Sequence, residues 1–199
     1  MKEIFEKIIK HRLWLDVPCG SGSTVEYTTP LRQSLPDFVA KHNVAGMLDL
    51  PCGDYSWMSM VDWPENFQYQ GADIVEFMIN ENQQRCPDIN FSVMNLCQDP
   101  LPQVDLLFCR DCLFHLSFAD IKQAFSNISR SKIQWVLTTT YPDVTINTDI
   151  KTGDFRPINL ELHPFNLPKP VDYLVDYIPN NQARVMALWK QEDFIGKML

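Results

Sequence analysis

Asp49-Leu-Pro-Cys-Gly-Asp54 follows a short apolar run and sets two carboxylates around one glycine. Gly53, lacking a Cβ, lets the backbone turn tightly and approach a ligand. Asp49 and Asp54 suit a cationic group such as an α-ammonium and make a poor cradle for a pyrophosphate. The loop has neither Gly-x-Gly-x-x-Gly nor Gly-x-x-x-x-Gly-Lys, so dinucleotide and P-loop readings weaken together. An ordinary strand-to-helix turn could use the same residues. Asp73 ends the next apolar run, 24 positions after Asp49. Nucleotide-binding α/β folds place an acidic residue roughly 20 positions on, against ribose hydroxyls, and a carboxylate accepts from both hydroxyls of a diol. Capping the following helix is the other use of an aspartate there; behind the Asp49–Gly53 loop, ribose binding is the preferred reading.

Asn95 ends a third apolar run, where its amide could hydrogen-bond an adenine edge. A fourth ends in Cys109-Arg-Asp-Cys-Leu-Phe-His115, crowding Arg110, Asp111 and His115 where a packed core would not place them. Arg110 and Asp111 could simply pair, and His115 could be a satisfied core histidine; it could equally take a proton at neutral pH. Cys109 and Cys112 form a Cys-x-x-Cys pair, but no second pair completes a zinc tetrahedron, and the thioredoxin position is wrong. No metal site is expected. The other four cysteines (Cys19, Cys52, Cys86, Cys97) are scattered, as in a reduced protein.

These residues need a scaffold that gathers strand ends. Ala45–Leu50, Phe67–Asp73, Ile89–Met94, Val104–Arg110 and Lys132–Thr140 read as five strands. Helical spacing falls at Tyr55–Val61, Val75–Arg85 and Phe118–Ile128. The alternation predicts a parallel sheet with right-handed crossovers, in which ligands sit beyond the carboxyl ends of the strands. Ahead of it come a short amphipathic helix (Ile4, Phe5, Ile8, Ile9), a Gly/Ser stretch at 19–24, and a helix from Thr29 (N-cap) and Pro30 to about His42-Asn43. Behind it, 142–170 is irregular and too long for a plain connection. Val171–Ile178 and Arg184–Lys190 then read as two strands joined at Pro179-Asn180-Asn181. Asp16-Val-Pro-Cys and Asp49-Leu-Pro-Cys echo each other without forming an architectural repeat.

The 199 residues are expected to form one domain: a helical cap (1–43), a cofactor-binding βα core (44–141), a substrate-side insertion (142–170) and a C-terminal hairpin (171–199). Hydrophobic residues at 45% and charged residues at 21% are typical of a soluble globular protein. No run approaches the ~18–20 apolar residues of a membrane span, and the first residues carry no signal-peptide core; a cytoplasmic location is expected. The net charge of −8 disfavours general nucleic-acid binding and favours a small-molecule substrate.

The series as a whole resembles the class I S-adenosylmethionine-dependent methyltransferases. Asp49-Leu-Pro-Cys-Gly-Asp-Tyr is similar to their glycine-loop motif, Gly71-Ala-Asp73 to their acidic ribose motif, Met94-Asn95-Leu96 to their adenine motif, and Phe108–Leu116 to the motif after the fourth strand. The likeness runs from about Ala45 to Lys190. More narrowly, it resembles a bacterial-type subgroup with LD-x-PCGD…W, CRDCL-x-HLS and G-x-x-RPINL, loosely associated with glycan and small-molecule modification.

The resemblance implies a Rossmann-like seven-stranded α/β sheet, mostly parallel with an antiparallel last strand and helices on both faces. It implies S-adenosylmethionine as cofactor, held by Asp49, Pro51, Gly53, Asp54, Trp57, Asp73, Ile74, Asn95, Leu96, Cys109 and Arg110. Chemistry would fall to His115 and Asp111, as bases for O-methylation, with Arg110. The acceptor, a small molecule or sugar-containing compound, would meet Tyr141, Asn147, Arg156 and Asn159 in the insertion. The family loop usually carries two or three glycines; here Asp54 and Tyr55 stand in their places, and the Gly20–Thr24 stretch either closes over the cofactor or is a flexible linker. A catalytically silent binding module and a nicotinamide-dependent enzyme are the rival readings.

Overall fold

The computed structural model describes residues 1–14, 19–178 and 182–197. The turn expected at Pro179–Asn181 and the Asp16–Pro18 part of the echoed motif lie outside them. The strands are β1 (Gly46–Asp49), β2 (Gln68–Asp73), β3 (Asn90–Val93), β4 (Leu106–Cys109), β5 (Trp135–Thr140), β6 (Asp172–Val175) and β7 (Val185–Lys190). They form one seven-stranded sheet in the order β3-β2-β1-β4-β5-β7-β6. β1 to β5 pair in parallel, and β7 runs antiparallel to both β5 and β6. This is the Rossmann-like arrangement of the class I methyltransferases, with β7 inserted between β5 and the edge.

The order follows from which faces the strands bury. Leu48, Leu107, Val136, Ala187 and Trp189 pack on one face against Ile121, Phe125 and Ile128 of α4 (Phe118–Arg130). Their neighbours Met47, Leu106, Phe108, Leu137 and Leu188 pack on the other, against Leu31, Leu35 and Phe38 of α2 (Thr29–Lys41) and Ile79 of α3 (Glu76–Arg85). Strand side chains alternate, so a strand covered on both faces reads as a continuous apolar run. α4 begins where Ser117 accepts a hydrogen bond from the Asp120 amide. α2 ends where Asn43 takes a left-handed backbone (φ 54°).

Two local expectations differ from the structure. Thr28, not Thr29, precedes α2, and its hydroxyl donates back to the Thr24 carbonyl rather than capping the helix. Tyr55–Val61 is not a helix: only Met58–Met60 makes a tight 3₁₀ turn. Tyr55 sits at φ 58°, which no helix accommodates, and Trp57 and Met58 are drawn into the core instead. The insertion at 142–170 contains neither helix nor strand, yet buries Ile158, Leu160, Phe165 and Leu167.

At the β2–β3 contact Gly71 lies opposite Phe91, and a Cβ there would stand 2.6 Å from the ring. Gly71→Ala is therefore expected to cost about 1–3 kcal/mol through overpacking. Urea denaturation would read this as a lower midpoint, and an unchanged midpoint would contradict the packing argument.

Candidate active site

The carboxyl ends of β1, β2 and β4 converge on one cavity. Asp73 is its most constrained member. One carboxylate oxygen accepts from the Gly53 amide (3.1 Å) and the other from the Val75 amide (2.9 Å), so the same side chain clamps the glycine turn and starts α3. Burial raises its pKa to about 6 against the pull of those amides. Asp49 is buried more completely; the Tyr69 hydroxyl donates to it at 2.7 Å, and burial lifts its pKa to about 8. Gly53 turns at φ 57° and is backed by the thiol of Cys19, which a Cβ would meet at 2.9 Å. Asp54 accepts from the Ser56 amide and hydroxyl, and Asn95 accepts from the Cys97 amide with its side-chain oxygen, leaving the Asn95 amide group to donate.

Beyond β4 the backbone turns through Asp111 at φ 53° into a buried charge cluster. Arg110 grips Asp176 with two nitrogens (2.9 and 3.0 Å) and donates to the Gly22 carbonyl at 2.8 Å. Arg184 bridges Asp111 at 2.9 Å and Asp176 at 3.3 Å. Burial works against the ionised form of Asp111, but Arg110 and Arg184 hold it below the usual carboxylate range.

His115 is placed differently. Its Nδ1 lies 2.8 Å from the Asp154 carbonyl. A carbonyl can only accept, so Nδ1 carries the proton and Nε2 keeps its lone pair. Burial lowers the pKa below the ordinary histidine value, which keeps the ring neutral at pH 7. The Trp14 ring stacks on it at 4.4 Å.

Most residues picked out from the sequence meet here: Asp49, Pro51, Gly53, Asp54, Trp57, Asp73, Ile74, Asn95, Leu96, Arg110, Asp111 and His115 all line the cavity. Cys109 does not, being buried within β4; Cys112 takes its place. A hydrogen bond with Cys109 and burial push the Cys112 thiol well above its ordinary value, the opposite of a reactive redox pair.

Three of the insertion residues singled out as acceptor contacts lie away from this cavity. The Asn147 amide donates to the Asn159 and His163 carbonyls, Asn159 to those of Pro142 and Val144, and Arg156 to those of Thr148 and Leu113. They satisfy the backbone of a segment that has no ladder of its own, and none lines the cavity. Tyr141 is buried and faces a separate cavity, beside Arg184.

The N-terminal contribution was largely hidden in the sequence. Met1, Phe5 and Ile9, from α1 (Lys2–Lys10) and the residue before it, join Trp14, Cys19 and Ser23 in the cavity wall. α1 rests on Gly153, where a Cβ would meet Ile4 at 2.6 Å. With α1 seated, the cavity measures about 120 Å³, below the ~300–1,000 Å³ of typical small-molecule pockets. The amphipathic stripe of α1 and the lone Trp14 were the available signals. Of the Gly20–Thr24 stretch, Ser23 lines the cavity, and Arg110 donates to the Gly22 carbonyl.

No family model matches the sequence, and no curated protein sequence matches it. Solved structures do. The chain is 16% identical to magnesium protoporphyrin IX methyltransferase from Synechocystis PCC 6803, solved with bound SAM, covering 94% of this chain and 95% of that one at a TM-score of 0.62. The PH0226 protein from Pyrococcus horikoshii OT3 is 14% identical over 90% and 98% of the two chains, with a TM-score of 0.64. The N-methyltransferase NodS from Bradyrhizobium japonicum WM9 is 14% identical over 83% and 93%, with a TM-score of 0.58. At these identities the likeness is one of fold.

The buried Asp49 carboxyl carries a pH signature. Its pKa rises from an ordinary 3.8 to about 8 on folding, so the stability it contributes is complete below pH 4 and is lost as the pH climbs through 8. Asp49→Asn cannot ionise, and its urea stability should fall less between pH 4 and 8 than that of wild type. Parallel profiles for the two proteins would place the titration elsewhere.

Proposed function

We propose that this chain is an S-adenosylmethionine-dependent methyltransferase acting on a small-molecule or glycan-type acceptor, with His115 as the base for O-methylation. The observation that carries the reading is one cavity, at the strand ends of a methyltransferase-type sheet, that holds Asp73, Asn95 and a neutral His115 together. The residues fit the cofactor. Asp73 spends one lone-pair direction of each oxygen on backbone amides and keeps others for a ribose diol. Ile74, Met94 and Leu96 offer an apolar slot beside the donating amide of Asn95. Asp54 and the Gly53 turn lie at the end suited to an α-ammonium, with Asp49 beside them as a mostly neutral carboxyl at pH 7.

When bound, S-adenosylmethionine would be held by Asp73, Asn95 and the Gly53 turn and would supply an electrophilic methyl to an acceptor oxygen. His115 takes the acceptor's hydroxyl proton on Nε2, while the Asp154 carbonyl fixes the tautomer. Asp111 is the weaker base, because two guanidiniums already hold its charge. Arg110 acts by fastening Asp111 and the Gly22 carbonyl rather than by touching the acceptor. α1 serves as a lid that withdraws to admit the nucleoside and returns to exclude water. A catalytically silent module is the second reading, favoured by the stack of Trp14 on His115.

Calorimetric titration with S-adenosylmethionine and S-adenosylhomocysteine tests the cofactor. Micromolar binding is expected, much weakened in Asp73→Ala; absence of binding to wild type sinks the reading. Ribose hydroxyls donate to the ionised carboxylate, so affinity should rise as the pH passes upward through about 6, the Asp73 value. Once an acceptor is known, His115→Ala should lower turnover ~10²–10⁴-fold with cofactor affinity intact. Turnover equal to wild type would remove His115 from the chemistry.

A further inference from the structure

The Cys19–Thr24 strip borders two cavities. Cys19 and Ser23 line the one described above; Ser21, Gly22 and Thr24 line a second, of about 490 Å³. We propose that this second cavity is the acceptor subsite, and that it takes a flat aromatic molecule bearing one carbonyl-type oxygen, either carboxylate or carboxamide. The inference rests on the methyltransferase reading and adds the substrate class.

Three rings, Tyr27, Tyr141 and Phe155, wall the cavity; Phe155 packs edge-on against Phe114 at 5.3 Å and leaves 57% of its surface exposed. Arg184 forms its inner wall. The guanidinium is buried and lies over the Tyr27 ring at 4.8 Å. Its Nε donates to the Asp176 carbonyl at 2.7 Å and its Nη1 bridges Asp111, with Tyr141 alongside, but Nη2 is buried with no hydrogen-bond partner of ordinary length among the described residues. An orphaned buried donor is costly and calls for an acceptor. That nitrogen sits behind Gly22, 3.1 Å from where a Cβ would stand. A side chain at position 22 would crowd both this nitrogen and the Asp111 carboxylate, so the strip passes here only as glycine. Burial lifts the Tyr141 phenol to about 12, so it stays protonated.

Charge sets the ligand class. Arg110 and Arg184 are already balanced by Asp111 and Asp176, and Glu26 stands in the lining. The site therefore lacks the free positive charge a phosphate or polyanion would need, and a single oxygen on a ring suffices. The two cavities adjoin at Phe155, whose ring lies 5.9 Å from that of His115, and at the Arg184–Asp111 bridge.

The test is calorimetry on the full chain saturated with S-adenosylhomocysteine, titrated with 4-hydroxybenzoate, 4-hydroxybenzamide and methyl α-glucopyranoside. Both aromatic probes should bind and the glucoside should not. Phe155→Ala, shown first to bind S-adenosylhomocysteine as wild type does, should weaken the aromatic probes about 5–10-fold. Two results overturn the proposal: wild type that binds S-adenosylhomocysteine but neither aromatic probe, or binds the glucoside as well as them. Unaltered aromatic binding in Phe155→Ala overturns it too, by placing the probes elsewhere. Failure to bind S-adenosylhomocysteine is a separate outcome that removes the methyltransferase reading, and this proposal with it.

Discussion

Four buried charges hold the active side of this molecule together. Arg110 follows β4, Asp176 follows β6, Arg184 precedes β7, and Asp111 stands at the turn toward His115. Taking such charges out of water is expensive, and mutual attraction offsets the cost only where geometry is close and the remaining donors are satisfied. Here each carboxylate meets two guanidiniums. Arg110 and Asp176 are 66 residues apart, and Arg110 reaches 88 residues back to the Gly22 carbonyl. A hydrophobic contact would tolerate sliding among these segments; a bidentate ion pair fixes direction as well as distance. The hairpin, the β4 turn and the N-terminal strip consequently share one frame.

The aspartates at the ends of β1 and β2 work in the opposite sense. Neither makes a salt bridge among the described residues, Arg110 acts on Asp49 only from a distance, and desolvation dominates. Asp73 nevertheless fills a structural and a ligand-facing role at once, because two backbone amides occupy only part of its acceptor capacity. This explains how the loop manages with one glycine where relatives of this fold use more. Asp73 fastens the Gly53 turn, Tyr55 accepts the left-handed backbone, and Cys19 packs behind both. Conformational freedom has been replaced by support from neighbouring segments.

Much of this was legible in the residue pattern. Runs such as Met47-Leu48 and Leu106-Leu107-Phe108 announce strands buried on two faces, and Asp49, Asp73, Asn95 and His115 fall at the ends where ligands gather. The expectation for 55–61 went astray because its apolar spacing reflects Trp57 and Met58 filling a core gap, not a helix face. Asn147, Arg156 and Asn159 lie outside the cavity, and their contacts have another reason: a long irregular segment must satisfy its own carbonyls, and polar side chains do that as readily as they bind substrate. The tautomer of His115, set by a carbonyl 39 residues away, has no local signature at all. Nor does Gly22, whose importance lies in what stands behind it.

The strip from Cys19 to Thr24 is one wall serving two rooms. Anything on one side that tightens or shifts it alters the space on the other, and thermodynamic reciprocity makes the effect equal in both directions. Occupants of the two cavities would then be cooperative or antagonistic by the same factor, whichever arrives first.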